Sequence, residues 1–190
     1  MGSLFVIVGP SAVGKNAILD ILRKGPYHHR VVELVSATTR PPRCGERDGV
    51  DYRFVTRDEF AALDREGLLA EWVEFEGNLY GTPIDLLHGQ PDAATRHVAI
   101  VDTVGARAIK AKLGDGATTV FIMPPSEDAL RQRFEKRSAY DGEDIGKRMS
   151  RARRDMASAG DFDHTVVNDD LETAAAEVAG IMGMDGWTGQ

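Results

Sequence analysis

The stretch Gly9–Asn16, GPSAVGKN, follows the apolar run LFVIV at Leu4–Val8 and leads into a segment of helical period over Asn16–Arg23. It fits GxxxxGK, a pattern whose glycines let the backbone curl until successive N–H groups and the next helix's N-terminus face a phosphate chain. Lys15 adds a mobile positive charge to that cradle. Strand, loop and helix occur in the order a phosphate loop requires; the alternative is a strand-to-helix turn that holds no ligand. The last position departs from the pattern, because Asn16 stands where a Ser or Thr hydroxyl ordinarily ligates Mg²⁺. An amide oxygen can coordinate the ion or hold a metal-bound water, so a metal role at Asn16 is weakened and not removed.

Outward from this loop, short β-branched runs alternate with longer helical segments, which is the pattern of an α/β protein with a mainly parallel sheet. The expected strands are Leu4–Val8, Val31–Val35, Val98–Val101, Thr119–Met123 and Thr165–Val167. The expected helices are Asn16–Arg23, Val104–Leu113, Glu127–Arg137, Glu143–Ala159 and Leu171–Met182. At 190 residues the chain suits one domain with at most a small inserted lobe. Thirty acidic residues against 23 basic ones give a net charge of −7, which argues against a nucleic-acid-wrapping surface and confines any anion site to a local patch. A single cysteine, Cys44, excludes an internal disulfide framework and fits a reducing compartment. With no apolar run of membrane-spanning length and no charged leader at MGSLFVIVG, a soluble cytoplasmic protein is expected.

Residues 38–82 break the alternation. They open with TTRPPRCGERDGV, pass through DYRFV and TRDEFAALDREG, and end in LLAEWVEFEGNLYG. Thr56 and Glu59 have capping-box spacing ahead of a short helix. Short strands and one helix between core elements read as a small lobe. A second interruption, SAYDGED at Ser138–Asp144, separates two Arg-rich helices and reads as a mobile connection.

The motifs GPSAVGK, SATTRPPRCGERDGVDYRFV, AEWVEFEGNLYGT, VDTVGAR, FIMPPS and VVNDDLE, in that order and spacing, closely resemble the guanylate kinase family over nearly the whole chain. The resemblance implies a P-loop kinase with a five-stranded parallel core sheet. It divides the chain into a core at 1–36, 83–125 and 161–190, an acceptor-binding lobe at 37–82 and a lid at 126–160. The implied reaction is phosphoryl transfer from ATP, with Mg²⁺, to GMP, giving GDP and ADP, in a monomer or homodimer that binds neither nucleic acid nor membrane.

The lobe's residues suit that role. Arg40 and Arg43, three apart on a proline-stiffened loop, can converge on one dianionic phosphate, and Tyr52 and Tyr80 can each donate a phenolic hydrogen bond to it. Taken singly, each equally suits a solvated loop or a sheet face; the resemblance assigns all four to the acceptor's 5′-phosphate. It places Ser36, Glu71, Thr82 and Asp102 where the family reads guanine. A carboxylate such as Glu71 accepts from guanine N1–H and N2–H₂ together, a donor pair adenine lacks on that edge. Plainer roles remain open: a strand-end hydroxyl for Ser36, an N-cap for Thr82, a strand-end acid for Asp102. On the donor side the resemblance gives ATP to Gly9, Ser11, Gly14, Lys15, Asn16, Arg133 and Arg137, with Asn168 on the adenine side. It makes Lys15, Arg40, Arg137 and Arg148 the catalytic set, although arginine-rich helices also suit a solvated charged face.

The chain departs from the family's pattern at several places. Ile100 and Val104 replace an aspartate and a glutamine, Leu79 a frequent tyrosine, and Pro83 a serine. These changes leave open a second expectation, the same chemistry on another nucleoside monophosphate or a ribose phosphate, and Asn16 leaves open a third, a non-catalytic binding module. The five histidines, His28, His29, His88, His97 and His164, lack metal-ligand spacing.

Overall fold

A computed structural model describes residues 4–24, 30–43, 45–75, 77–84, 94–141 and 144–184, with backbone alone at 75 and 137–141. Cys44, His28, His29 and His88 lie outside the described residues. Five strands, β1 (Leu4–Val8), β2 (Val31–Glu33), β7 (Arg96–Ile100), β8 (Ala117–Met123) and β9 (His164–Val167), form a parallel sheet in the order β2-β7-β1-β8-β9. The expected five-stranded parallel core is therefore present. Central β1 is buried throughout, and its period-two alternation serves both faces. Phe5 and Ile7 pack with Ile18, Leu19 and Leu22 of α1 (Lys15–Lys24) and Ala174, Ala175 and Val178 of α6 (Leu171–Ile181). Leu4, Val6 and Val8 pack with Ala106 and Ile109 of α3 (Thr103–Leu113).

The interruption at 38–82 becomes a second sheet of order β4-β3-β6-β5, built from β3 (Ala37–Thr38), β4 (Arg53–Phe54), β5 (Leu69–Phe75) and β6 (Asn78–Pro83). Across it lies α2 (Arg57–Arg65), whose Phe60 and Leu63 join Ala37 and Leu69 in a small separate core. The expected capping box forms: Thr56 Oγ1 accepts from Glu59 N at 3.2 Å, and Glu59 Oε2 accepts from Thr56 N at 2.7 Å. Helices α4 (Glu127–Asp141) and α5 (Ile145–Ala157) pack through Leu130, Phe134, Met149 and Ala152.

Several boundaries differ from expectation, and two of the differences have a local reason. Helix α4 continues past Arg137 to Asp141, because no glycine or proline intervenes before Gly142, and the connection is correspondingly shorter than Ser138–Asp144. Helix α5 begins at Ile145 because Asp144 is its N-cap, accepting from Gly146 N at 2.6 Å and Lys147 N at 3.2 Å. No helix among the described residues is long and apolar enough to cross a membrane.

Candidate active site

The C-terminal ends of β1 and β7 open into a cavity of about 450 Å³ whose far wall is the second sheet. Ligands in open parallel sheets bind at this edge, where the helix N-termini converge. At one end of the cavity stand Gly9, Ser11 and Lys15 of the 9–16 loop. Gly9, at φ +138°, has no alternative: a Cβ there would lie 2.4 Å from Ile122 O. Lys15 Nζ donates to Gly9 O at 2.7 Å and Pro10 O at 2.9 Å, folding back over its own loop. Asn16 is exposed in the first turn of α1 and does not line the cavity.

The opposite wall carries Glu71 on β5, with Tyr52 and Tyr80 meeting edge to face at 6.1 Å. Thr82, fully buried on β6, donates its hydroxyl to Glu71 Oε1 at 2.7 Å. Thr82 thus acts inside the hairpin as the partner of Glu71; the turn it was expected to cap lies mostly outside the described residues. Burial pushes the Glu71 carboxyl above the ordinary range; the Thr82 hydrogen bonds oppose this and the charge of Asp102 adds to it. Asp102 N-caps α3, accepting from Gly105 N at 2.8 Å, and also lines the cavity. Gly105 lets α3 approach closely, since a Cβ there would come within 3.2 Å of Glu71 Cδ. Ser36 and Ile100 complete this end.

Arg40 is held beside the tyrosines by a two-pronged pair: Nη1 and Nη2 each donate to Glu46 at 2.9 Å. Its guanidinium lies 5.4 Å from the Tyr52 ring centre and 5.8 Å from that of Phe54. The Glu46 hydrogen bond raises the Arg40 pKa, and the same bond lowers that of Glu46. Burial raises the Tyr52 phenol, so Tyr52 remains a donor at neutral pH. Arg43 is exposed on the same loop, its backbone N–H donating to Glu46 at 2.7 Å.

Among the described residues, the arginines of α4 and α5 have different partners. Arg133 donates to Val13 O at 2.9 Å and Asn168 O at 3.0 Å. Arg148 is 8% exposed with its guanidinium 5.8 Å from the Phe134 ring centre. The Arg137 side chain is outside the described residues. Asn168 is buried and reaches Val13 O at 2.7 Å, and Gly14 lies against it.

Two charged cavity residues were not read as site residues from the sequence, where Arg151 counted only toward an arginine-rich solvated face. Arg151 and Asp155 of α5 face the loop from above. With Arg148 they fall three and four residues apart, one face of a helix, which is the signal that would have found them. Burial raises the Asp155 carboxyl while Thr103, 3.4 Å away, and Lys15 pull it down.

A family model described as Guanylate kinase matches residues 1–184. The guanylate kinase of Parasynechococcus marenigrum (strain WH8102) is 40% identical over 185 residues, covering 97% of this chain and 100% of that protein. That of Rhodococcus jostii (strain RHA1) is 39% identical, covering 95% of this chain and 87% of its own. Among solved structures, guanylate kinase from Anaplasma phagocytophilum superposes with a TM-score of 0.71 at 30% identity, covering 97% of this chain and 86% of that one.

Proposed function

The chain belongs to the guanylate kinase family, and from that premise we propose how its residues divide the work. The protein is an ATP-dependent nucleoside monophosphate kinase that phosphorylates GMP to GDP. The observation that carries the assignment of residues is one cavity walled at one end by the Lys15 loop and at the other by the Glu71–Thr82 pair.

In this reading GMP lies against β5 and β6. Glu71, one oxygen committed to Thr82, offers its remaining lone pairs to guanine N1–H and N2–H₂, with Ser36 and Asp102 alongside. Arg40, Arg43, Tyr52 and Tyr80 take the 5′-phosphate. ATP lays its phosphates along Gly9–Asn16, with Lys15 released from the loop carbonyls to the transferring group. Acceptor and donor phosphates then face each other in line, and positioning with charge cancellation does most of the work. The acceptor is already an ionised phosphate, so no general base is required. Arg137, Arg148 and Arg151 supply further positive charge from α4 and α5.

The oxygen donors beside the loop fit Mg²⁺, which favours one or two carboxylates together with phosphate oxygens and water: the Asn16 amide, Asp102 and Asp155 are of that kind. When bound, the ion neutralises phosphate charge. The division into core (1–36, 83–125, 161–190), lobe (37–82) and lid (126–160) is supported by the separate small cores of the second sheet and of α4 with α5. The single cysteine suits a reducing cytoplasm.

ADP release with ATP and Mg²⁺ over a panel of nucleoside monophosphates and sugar phosphates tests the reading. Turnover concentrated on GMP is expected; turnover only with a ribose phosphate or an adenine nucleotide would overturn the Glu71 assignment.

A further inference from the structure

The Val13 carbonyl is gripped by two donors from distant parts of the chain. Asn168 Nδ2 reaches it at 2.7 Å and Arg133 Nη1 at 2.9 Å. Arg133 Nη2 also donates to Asn168 O at 3.0 Å, so the two residues are tied to each other as well as to the loop. Asn168 is 3% exposed, and its backbone N–H donates to Met123 O at 2.8 Å, which anchors it to the end of the core sheet.

A carbonyl oxygen has two lone pairs, and these two donors occupy both. Because the peptide is planar and trans, fixing the Val13 C=O fixes the Gly14 N–H on the opposite side. Support from outside is needed here. Ala12 holds φ +61°, a left-handed conformation unfavourable for a residue with a Cβ, and Gly14 holds φ +107°. Gly14 is also what admits Asn168, since a Cβ would lie 2.3 Å from Asn168 Nδ2.

We propose that Asn168 and Arg133 are positioning residues of the phosphate loop, holding the Val13–Gly14 peptide so that the Gly14 N–H is aimed at the donor phosphates. The inference rests on the reading of Gly9–Asn16 as the ATP phosphate site. It differs from a base contact because residues acting through the loop weaken any phosphate chain equally, and from a direct phosphate contact because they move the Gly14 N–H before any ligand is bound.

The test uses calorimetric binding of Mg·ATP and of Mg·tripolyphosphate to the full chain, with Asn168→Ala and Arg133→Gln. Each variant is expected to weaken both ligands by the same factor, about tenfold for one lost hydrogen bond. The Gly14 amide resonance, followed by ¹⁵N-glycine labelling in the nucleotide-free protein, is expected to shift in both variants. Weakened ATP with unchanged tripolyphosphate would assign the residues to the base, and an unmoved Gly14 resonance would remove the positioning role; either result overturns the proposal. If Asn168→Ala fails to fold, Arg133→Gln, at a partly exposed helix position, carries the same test. Failure of the unaltered protein to bind either ligand would instead strike the ATP-site reading, and this inference with it.

Discussion

Replacing Glu71 by glutamine keeps the size of the side chain and removes one of its two acceptor oxygens. The pair with Thr82 occupies one end of the group at 2.7 Å, and Gly105 closes the space beside Cδ, so the glutamine has two orientations. With Nε2 toward guanine, a donor meets the N1–H and N2–H₂ donors. With Nε2 toward Thr82, the hydroxyl turns to accept, and guanine keeps one neutral hydrogen bond where it had two to a carboxylate. The better orientation still loses at least one charged hydrogen bond, about 1.5–3 kcal/mol, or about 10- to 150-fold in kcat/KM for GMP. Steady-state ADP release at varied GMP measures this, and ATP affinity should be unchanged. The nucleotide-free variant should also melt higher at neutral pH. A carboxyl whose folded pKa is raised binds more protons folded than unfolded, so stability falls as pH rises through the ordinary value of 4.5 toward the raised one. Glutamine lifts that burden. GMP use within threefold of the unaltered enzyme, or a lower melting temperature, would refute the reasoning.

Three further outcomes follow from other residues. Glu46→Gln breaks the two-pronged hold on Arg40 and should raise KM for GMP about fivefold, with little change in kcat; a lower KM would mean that Glu46 competes with the phosphate for Arg40. Asn16→Ser restores a hydroxyl beside the loop and should lower the Mg²⁺ concentration for half-maximal activity while preserving turnover, and a collapse in rate would assign the amide a specific role. His97, 6% exposed with Nδ1 unpartnered among the described residues, has its pKa lowered from 6.5 by burial. The unfolded chain therefore takes up that proton first. Stability should fall by up to ~1.4 kcal/mol per pH unit below about pH 6.5, and chemical denaturation of His97→Gln should show that slope reduced.

The phosphate loop and the central strand were legible because their signals are local. GPSAVGKN is contiguous, and the unbroken apolar run LFVIV marks a strand covered on both faces. The pairing of Glu71 with Thr82 has no such signature. Counting on from the Phe75–Asn78 pair brings Glu71 opposite Thr82, but that register has to be known first, and the shift between Leu69 and Trp72 means that counting from the other end of the hairpin misses it by one residue. Family likeness supplied both residues; only the fold shows that one orients the other. The Val13 carbonyl is equally hidden, since its donors lie 120 and 155 residues away along the chain. Asp155 and Arg151 were within reach through helical spacing, but arginines on neighbouring faces of α5, such as Arg153 paired with Glu127, diluted the pattern.

The departures from the family's pattern are unequal once placed. Val104 is 64% exposed in the first turn of α3, outside the cavity lining, while Ile100 is in the wall with Glu71 and Asp102. On the proposed reading Glu71 accepts both guanine donors as a carboxylate, yet burial and Asp102 already push its carboxyl upward. A further acid at position 100 would add like charge to the same wall. Isoleucine there removes that repulsion and favours the charged form of Glu71, while withdrawing a hard oxygen from the side of the cavity facing the phosphate loop. Asp102 and Asp155 are the other carboxylates in the cavity lining. Asp102 is committed to capping α3, while Asp155 feels the charge of both Lys15 and Asp102, so on the proposed reading the balance between base reading and cation binding turns on Asp155.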